Sequence, residues 1–407
     1  MSSLARHAAV TALTVLVLCG CQEDSRTPVS PPTLASIGLP PPAIQRVPEI
    51  RVAVLRNALS ARIGSGNAMA RVFGPSGEAK VLAANSSVLV AANASGILID
   101  GVQVVTGTTL RIESASAGEP LRVGAQEAAP KVVVHLAAGG LTIIAHVDME
   151  EYLAGVLAGE VPERWHAEAL KAQAIASRSY ACYQAKKNTA ELYDVDNTVM
   201  SQVFRPGARH NPVLDAAVGG TRGLILTDHG ALFPAYFHST CGGHTADVAS
   251  VFPEQANIGP LKGAPCSFCT ASPSYRWKCT LNKEAVTQKL KSSYAPAQNM
   301  GLLTGLEFVD ASGRNSGRAT QVRAHSKGGT VIVPGNQFRL LSGARDLKSL
   351  WIEQVADKGD VLEISGRGYG HGVGLCQYGA EGMAAAGHTY PQILGLYYPG
   401  ADLKKMY

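Results

Sequence analysis

The stretch that decides the fold runs from residue 148 to residue 187 and reads DMEEYLAGVLAGEVPERWHAEALKAQAIASRSYACYQAKK. Its many Ala, Leu, Lys and Gln residues are strong helix formers, and the pattern predicts one helix over residues 149–158 and a second over 166–186. Between them, the sequence Gly159-Glu160-Val161-Pro162 predicts a break, because glycine and proline interrupt helices. The alanine-rich second helix offers a surface that another backbone can approach closely.

Glu160 lies at this predicted break, between two helices. Its neighbours in the sequence are mostly apolar: Val156, Leu157, Val161, Pro162 and Trp165. Apolar surroundings raise the pKa of a carboxyl group and keep it protonated near neutral pH, as general-acid catalysis requires. A loop carboxylate that only caps the next helix is the structural alternative. Local sequence therefore makes Glu160 a candidate acid and leaves the capping role open.

The first residues of the chain predict export. Residues 1–20 have a short basic start and an apolar run too short for a permanent membrane span, which is typical of a signal peptide. The run ends in Leu18-Cys19-Gly20-Cys21, which resembles a bacterial lipobox; an ordinary signal peptide cut after Cys19 or nearby is the alternative. With a lipobox, Cys21 is acylated and becomes the first mature residue. Gln22 after it favours the outer membrane, by analogy with enterobacterial sorting.

Three further segments follow the signal peptide. Residues 21–48 contain seven prolines between Thr27 and Glu49, which predicts an extended tether. Residues 49–147 consist of short β-rich runs separated by glycine-containing turns, which predicts a β-rich module. Residues 148–407 are expected to form a mixed α/β catalytic region around the helix pair and a glycine-rich C-terminal segment. The predicted fold class is α+β.

Composition excludes some classes of protein. The 407 residues are 46% hydrophobic and only 16% charged, so the chain as a whole is not disordered. The formal charge is +5, and the lysines and arginines are scattered. Such a charge suits an acidic polymer but is too diffuse for a nucleic-acid-binding stripe, so we expect no nucleic-acid partner.

Near the C-terminus, residues 366–380 read GRGYGHGVGLCQYGA. The glycines alternate and never give the G-x-G-x-x-G spacing that binds dinucleotides, and no strand-to-helix nucleotide pattern surrounds them. A phosphate-binding loop is therefore not expected, and neither is an organic cofactor.

Three stretches together resemble the stage II sporulation protein D and amidase enhancer (LytB) family, which acts on peptidoglycan. They are VDMEEYLAGVLAGEVPERWHAEALKAQAIASRSYA from Val147, YFHSTCGGHTADVASVF from Tyr236 and GRGYGHGVGLCQYGAEGMAAAGHTYPQILGLYYPG from Gly366. The resemblance spans roughly residues 49 to 404. It implies a lytic transglycosylase with Glu160 as the acid. Protonated Glu160 would donate to the oxygen between MurNAc and GlcNAc and then accept the proton of the C6 hydroxyl, leaving a 1,6-anhydro end.

The resemblance also implies candidate contacts with sugar. It places the glycine-rich segment in the catalytic fold, so we interpret its glycines as letting backbone and sugar approach closely. The candidate substrate-binding residues are Gln173, Ser177, Arg178, Tyr180, Ser239, Tyr369, His371, Gln377 and Tyr378. For His371, a hydrogen-bonded structural histidine is the alternative. A hydrolase would instead need a second carboxylate. The candidates for it are Asp148, Glu151, Glu163, Asp194 and Asp196.

The second stretch also contains a metal-binding pattern. Cys241-x-x-His244 followed by Cys266-x-x-Cys269 predicts a four-ligand zinc site, with His238 as an alternative fourth ligand. Other members of the family carry zinc near this segment. We expect the zinc to be structural, because three thiolates and a histidine fill its coordination sphere. Disulfides are the alternative in an exported protein, with an even number of cysteines available. The cysteines are Cys182, Cys241, Cys266, Cys269, Cys279 and Cys376. The last departs from the family, where serine is common.

Two functions of different class remain open. One is a transglycosylase that cuts peptidoglycan glycan strands. The other is a binding module, an amidase enhancer that binds glycan or a cell wall amidase and breaks no bond itself. Glu160 favours the enzyme, because a pure enhancer needs no acid in an apolar setting. In either case the expected location is the periplasmic face of the bacterial envelope, with a lipid anchor in the membrane.

Overall fold

A computed structural model describes residues 46–105, 108–198, 201–205, 211–255, 257–310 and 317–407. The predicted signal peptide, the lipidation site at Cys21 and nearly all of the predicted tether lie outside these residues. The described part combines helices with several β-sheets, which confirms the predicted α+β class. Within it, every helix is too short or too polar to cross a membrane.

The first module is built from two antiparallel sheets. Its strands are β1 (Glu49–Ala58), β2 (Ser60–Gly64), β3 (Ala70–Gly74), β4 (Gly77–Leu82), β5 (Ser87–Asn93), β6 (Gly96–Ile99), β7 (Val102–Val105), β8 (Thr109–Ser114), β9 (Arg122–Val123), β10 (Gln126–Glu127), β11 (Lys131–Ala137) and β12 (Gly140–Asp148). One sheet has the order β1-β12-β11-β8-β3-β4, and the other has β10-β9-β2-β5-β6-β7. Alternating apolar residues such as Val132 and Val134 on β11 are fully buried between them, as a half-buried strand requires.

The module leads directly into the helix pair. Strand β12 ends at Asp148, whose side chain caps α1 (Met149–Glu160) by accepting a hydrogen bond from the Glu150 amide at 2.9 Å. Helix α2 (Ala167–Lys187) lies within one residue of the prediction. Helix α1 extends two residues beyond it, so Glu160 lies in the last helical turn and not in a break. The amide of Val161 still donates to Leu157, and the helix ends only there, before Pro162.

After α2 the chain returns to the first sheet and then builds a second core. Strand β13 (Val195–Asp196) pairs in parallel with β1 and so adds an edge strand to that sheet. The next elements are α3 (Pro212–Gly219), β14 (Leu224–Asp228), β15 (Ala231–Leu232), β16 (Phe237–His238) and α4 (Val248–Val251).

Residues 276–367 contain a hydrophobic core of their own, inside residues 148–407, which were expected to form a single catalytic region. The elements are β17 (Arg276–Asn282), α5 (Lys283–Ser293), β18 (Leu303–Val309), β19 (Gln321–Ser326), β20 (Gly329–Pro334), α6 (Gly335–Ser342), β21 (Trp351–Asp357) and β22 (Val361–Arg367). They form two three-stranded sheets, β17-β22-β21 and β18-β19-β20. Apolar side chains such as Trp277, Val322 and Phe338 fill the space between these sheets and the two helices.

The C-terminal elements complete the second core. They are β23 (Leu375–Cys376), α7 (Gln377–Ala385), α8 (Tyr390–Tyr397) and β24 (Asp402–Lys405). The small side chains of α2, including Ala172 and Ala176, face α7 and α8 in this core, which confirms that the alanine-rich helix is closely approached. Strand β23 pairs in parallel with β16, Phe237 opposite Leu375 and His238 opposite Cys376. This pairing joins the second and third sequence stretches.

Candidate functional site

The carboxyl group of Glu160 is half-buried at the C-terminal end of α1. Its Oε1 accepts a hydrogen bond from the Val203 amide at 2.8 Å, and its Oε2 accepts one from Nε2 of Gln377 at 3.4 Å. Burial raises the pKa of Glu160 above its ordinary value, and the two hydrogen bonds only partly oppose this effect. The group is therefore suited to hold a proton that an exposed glutamate would release.

Two glycines of α1 explain how the Val203 amide reaches the acid. Gly155 and Gly159 lie four residues apart, on one face of the helix. A Cβ atom on Gly155 would lie 2.5 Å from the Phe204 ring, and one on Gly159 would overlap the Val203 carbonyl oxygen. Residues 201–205 can therefore lie directly on α1. Sequence reasoning missed this contact, although two glycines beside a candidate acid were a usable signal.

A buried chain of hydrogen bonds links α1 to α2 beside this segment. The Tyr152 hydroxyl donates to Gln202 at 2.8 Å, and the Gln202 amide donates to the Ser177 carbonyl at 3.3 Å. The Gln173 amide in turn donates to the Ser177 hydroxyl at 3.0 Å. Gln173 is 2% exposed and Ser177 is fully buried. The prediction that these two residues contact sugar is wrong in this structure, because neighbouring protein covers them.

Arg178 is also misassigned as a sugar contact. Its guanidinium is fully buried and donates to both carboxylate oxygens of Glu150, at 3.0 Å and 2.7 Å. It also donates to the Leu224 carbonyl at 3.1 Å. The partner lies 28 residues earlier in the chain, so helical periodicity within α2 could not reveal it. Arg178 joins α1 to α2 in the core.

One predicted residue contacts the acid, and two others are connected to it through α7. The Gln377 amide contacts Glu160 directly, and the next residue, Tyr378, packs edge-on against Trp165 with ring centroids 5.2 Å apart. The Tyr378 amide donates to the Ser239 carbonyl at 3.0 Å, which brings Ser239 to the same side. Trp165 and Tyr378 are half-buried, so parts of both rings remain open to a ligand. Aromatic rings of this kind offer flat apolar faces next to a polar group.

Tyr180 and His371 belong to a separate aromatic cluster. The His371 ring lies 5.7 Å from Tyr236, 5.6 Å from His238 and 5.5 Å from Phe252. Burial, with the nearby arginine cations, lowers the pKa of His371 to about 3, and its Nδ1 accepts a hydrogen bond from the Val373 amide at 3.1 Å. Tyr180 is 5% exposed, and its ring centroid lies 5.8 Å from that of Tyr236. These contacts favour the structural alternative for His371.

Tyr369 is held by backbone pairing. It forms an isolated antiparallel bridge with Thr240, and the Lys348 ammonium lies 5.9 Å from its ring centroid. These contacts place Tyr369 on the segment that leads to the aromatic cluster, and not against Glu160.

The glycine-rich segment uses its glycines for packing against protein, which corrects the expectation that they admit sugar. Gly370 and Gly374 have φ of +109° and +70°, which few other residues adopt. A Cβ on Gly370 would lie 2.8 Å from the His238 side chain, and one on Gly374 would overlap the Tyr236 carbonyl. The segment therefore lies tightly along residues 236–246.

Four buried cysteine side chains meet near the start of α7. The Sγ atoms of Cys241, Cys266, Cys269 and Cys376 all lie within 4.8 Å of one another, and those of Cys241 and Cys269 are 3.5 Å apart. The prediction of a histidine as the fourth member is wrong. His244 is hydrogen-bonded through Nδ1 to the Thr245 carbonyl at 2.6 Å. Cys376 takes its place, more than one hundred residues further along the chain.

His238, the alternative fourth ligand, is engaged in the aromatic cluster. Its Nδ1 donates to the Val373 carbonyl at 3.1 Å, and its ring packs against His371. Neither histidine of the predicted set therefore joins the four thiols.

The thiols lie beside a buried cation, and hydrogen bonds among them change their pKa values in opposite directions. The fully buried guanidinium of Arg318 donates to the carbonyl oxygens of Cys241 and His244 and lies 5.3 Å from the Trp351 ring. Hydrogen bonds among the thiols lower the pKa of Cys269 and raise the pKa of Cys241. All six cysteines of the described residues are free thiols. In a tetrahedron with metal–sulfur bonds of about 2.3 Å, sulfur atoms lie about 3.8 Å apart. The donor set and its spacing thus fit a four-coordinate soft metal ion.

Several candidate second carboxylates have other partners. Asp194 is buried in an ion pair with Arg51 at 2.6 Å, and Glu163 accepts a hydrogen bond from Asn211. Asp196 is buried on β13. Asp194 and Glu163 are thus engaged by other side chains.

Comparison with known proteins adds family evidence to this geometry. Residues 137–227 match the family described as Stage II sporulation protein, and residues 268–374 match a domain of unknown function, DUF8618. The first match contains α1, α2 and Glu160. The second covers the whole of residues 276–367, the module with its own core.

Three curated relatives span most of the same chain. The chain is 33% identical over 268 residues to an uncharacterized protein of Brachyspira hyodysenteriae, covering 65% of this chain and 68% of that protein. It is 30% identical over 283 residues to Stage II sporulation protein D of Bacillus subtilis, covering 64% of this chain and 76% of that protein. It is 29% identical over 295 residues to the amidase enhancer of Bacillus subtilis, covering 62% of this chain but only 40% of that protein.

Proposed function

We propose, from the premise that the chain belongs to the stage II sporulation protein D family, that it is a lytic transglycosylase acting on peptidoglycan glycan strands. The observation that carries the proposal is the half-buried carboxyl of Glu160, whose pKa burial raises. It accepts a hydrogen bond from the amide of Gln377, whose neighbour in the chain, Tyr378, packs against Trp165, and both aromatic residues are half-buried. A carboxyl group with a raised pKa near aromatic faces suits a substrate made of sugar rings.

The chemistry needs one carboxyl group in two protonation states. Protonated Glu160 donates its proton to the oxygen that joins MurNAc C1 to GlcNAc, and this C–O bond breaks as an oxocarbenium-like centre develops at C1. The C6 hydroxyl oxygen of the same MurNAc then bonds to C1. Its proton passes to the Glu160 carboxylate, which restores the acid. The products are a 1,6-anhydro-MurNAc end and a free GlcNAc hydroxyl, with no water consumed.

The spacing of two candidate second carboxylates argues against their part in hydrolysis. In glycoside hydrolases the two carboxyl groups lie about 5–10 Å apart. Asp148 and Glu151 belong to the opposite end of α1, and at about 1.5 Å per residue they lie roughly 18 Å and 14 Å from Glu160 along the helix axis. Both are too distant to act on the same glycosidic bond.

The four-thiol cluster would hold a structural zinc ion. Cys241, Cys266, Cys269 and Cys376 supply four sulfur ligands, the set typical of closed structural sites. Such an ion would cross-link three segments of the second core, and with four protein ligands it would have no open position for substrate. Elemental analysis of the purified protein tests this, with one zinc per chain expected.

A second candidate function is that of an amidase enhancer. The similarity to a protein named amidase enhancer favours it. In that case the exposed parts of Trp165 and Tyr378 would bind glycan, and Glu160 would break no bond. A cell wall amidase would then be a partner of this chain.

We further propose that the chain is exported and anchored by acylated Cys21, with the proline-rich segment as tether. Two or more acyl chains hold a protein stably on a membrane. Cys21→Ser should therefore move the protein to the soluble fraction. A substituted protein that stays on membranes after a high-salt wash contradicts the anchor.

The decisive experiment for the reaction is Glu160→Gln. Glutamine keeps the size of the side chain but has no proton to transfer, so cleavage of glycan strands should fall by at least about 10²–10⁴-fold while binding persists. Glu151→Gln, the same change at an exposed position of the same helix, should leave cleavage unchanged.

Mass analysis of the products separates the candidate functions. A transglycosylase gives 1,6-anhydro ends, lighter by one water than hydrolysed ends. Reducing ends would identify a hydrolase. Absence of cleavage by the wild type, with full stimulation of an amidase by Glu160→Gln, would identify a binding module.

A further inference from the structure

The thiol cluster and the acid are adjacent through two consecutive residues. Cys376 contributes a thiol to the cluster, and Gln377 donates a hydrogen bond to Glu160. We propose that the four-thiol cluster, when it holds its metal, positions the amide of Gln377 against Glu160, so that Gln377 is a positioning residue whose geometry depends on Cys376. This inference rests on the proposed function.

Cys376 has a second role at the start of α7. It is the N-cap residue of that helix, and its Sγ accepts hydrogen bonds from the amides of Gly379, at 3.3 Å, and Cys241, at 3.1 Å. The orientation of the Cys376 side chain is thus coupled to the first helical turn. Gln377 is the first residue of that turn.

The first turn of α7 also lies flat on the cluster. Gly379 faces Cys266 and Tyr397, and a Cβ at this position would lie 2.9 Å from the Cys266 sulfur and overlap the Tyr397 hydroxyl. The Cys266 sulfur and the Tyr397 hydroxyl are themselves 3.1 Å apart in a hydrogen bond. Any change in the volume of the cluster therefore displaces the turn that contains Gln377.

The hydrogen bond to the acid is sensitive to such a displacement. Gln377 is 5% exposed, so its side chain has little freedom to readjust. The distance from its Nε2 to Oε2 of Glu160 is already 3.4 Å, longer than the roughly 2.7–3.2 Å usual for N–H···O hydrogen bonds. A shift of a few tenths of an ångström would break it.

An amide is well suited to a group that must act as acid and then as base. Its NH₂ donates to an ionised carboxylate, and without moving it can also donate to the unprotonated oxygen of the protonated carboxyl group. Gln377 can therefore orient Glu160 in both protonation states of the proposed reaction. An apolar residue at this position could form no hydrogen bond with Glu160 in either protonation state.

The test uses four variants of the full chain: Cys376→Ser, Gln377→Ala, the double variant and Cys279→Ser. Gln377→Ala should keep its metal and lower kcat roughly three- to tenfold with KM unchanged, the worth of one hydrogen bond. Cys376→Ser should lose metal and show at least the same fall in kcat. The double variant should be no slower than Cys376→Ser, because both changes remove the same contact, the hydrogen bond between Gln377 and Glu160. Cys279→Ser, a thiol outside the cluster, should match the wild type.

A readout independent of activity is the infrared carboxyl stretch that Glu160→Gln removes. This band should shift in the same direction in Gln377→Ala and in wild type stripped of metal by a chelator. Chelation of Gln377→Ala should leave it unchanged. A wild-type protein that contains no metal, an unshifted band after complete metal removal, or additive kcat losses in the double variant would overturn the proposal. If the wild type cuts no glycan, the proposed reaction fails, while the band still decides whether the cluster positions Gln377.

Discussion

Each end of helix α1 carries a glutamate, and the surroundings shift the pKa values of the two carboxyl groups in opposite directions. Glu150 meets the guanidinium of Arg178, the hydroxyl of Tyr407 and the amide of Gly223. Burial acts to raise the pKa of Glu150, but the hydrogen bonds and charge of its partners outweigh this, and the pKa is lowered. Glu160 has one backbone amide and one distant side-chain amide, and burial raises its pKa.

The difference shows how partners decide the role of a buried carboxyl group. A carboxylate with a cation and several donors stays ionised and fixes the elements around it. A carboxyl group with few donors keeps both protonation states within reach, as proton transfer requires. Within one helix, the first end therefore stabilises the fold, and the second has the properties that the proposed reaction needs.

The largest loss of stability is expected for a change at the N-terminal end of α1, where Glu150 lies. Glu150→Gln leaves the fully buried Arg178 without its charge partner. Removing one member of a buried ion pair costs about 3–5 kcal/mol, so the free energy of unfolding should fall by about that amount in urea titrations. The exposed neighbour provides the control, since Glu151→Gln should change stability by less than about 0.5 kcal/mol. Equal effects of the two changes would mean that Arg178 has found another partner.

A smaller effect is expected for the third member of the same network. Tyr407→Phe removes the hydroxyl that donates to Glu150 and keeps the ring. A hydrogen bond to a charged group contributes about 1.5–3 kcal/mol, so unfolding should be easier by that amount. The Tyr390→Phe change, at a half-buried tyrosine of α8, serves as control. A stability loss at Tyr390 as large as at Tyr407 would contradict the role given to the network.

At the C-terminal end of α1, the contact between the Val203 amide and Glu160 can be removed without changing Glu160 itself. Gly159→Ala places a methyl group against the Val203 carbonyl and should push residues 201–205 off α1. Overpacking of this kind costs about 1–3 kcal/mol, and cleavage should fall because the Val203 amide leaves Glu160. Gly219→Ala is the matched control, since a Cβ there meets nothing within 4 Å. Normal cleavage by Gly159→Ala would show that this amide does not orient the acid.

Local and distant contacts explain what the sequence could predict. The bounds of α2 follow from residue preferences over some twenty neighbouring positions, so they were predicted to within one residue. The family resemblance and the apolar neighbours of Glu160 identified the candidate acid. Its partners Val203 and Gln377 lie 43 and 217 residues away, and no periodicity connects such positions.

The same reason accounts for the errors. Arg178 was predicted to bind substrate because its partner Glu150 lies on another helix and could not be inferred from α2 alone. Cys376 replaced His244 in the thiol cluster because the pairing of β16 with β23 brings two distant segments together. A spacing pattern such as C-x-x-H describes one segment only. It cannot reveal a ligand that another segment supplies.

The smallest effect, and the one that tests the comparison most directly, is the pH dependence of stability. The folded pKa of Glu160 is raised, so above the ordinary glutamate pKa of about 4.3 the folded chain holds a proton that the unfolded chain releases. Wild type should then lose stability relative to Glu160→Gln as pH rises from about 4.3 through the folded pKa, and the difference should level off above it. For Glu150 the sign is reversed, because its folded pKa is lowered: its contribution is complete above about pH 4.3 and is lost as pH falls through the folded pKa. Urea titrations of wild type and each variant across this range give the two differences directly, and the other titrating groups cancel. Differences of the same sign would mean that the pKa values of Glu150 and Glu160 are shifted in the same direction, which contradicts the comparison.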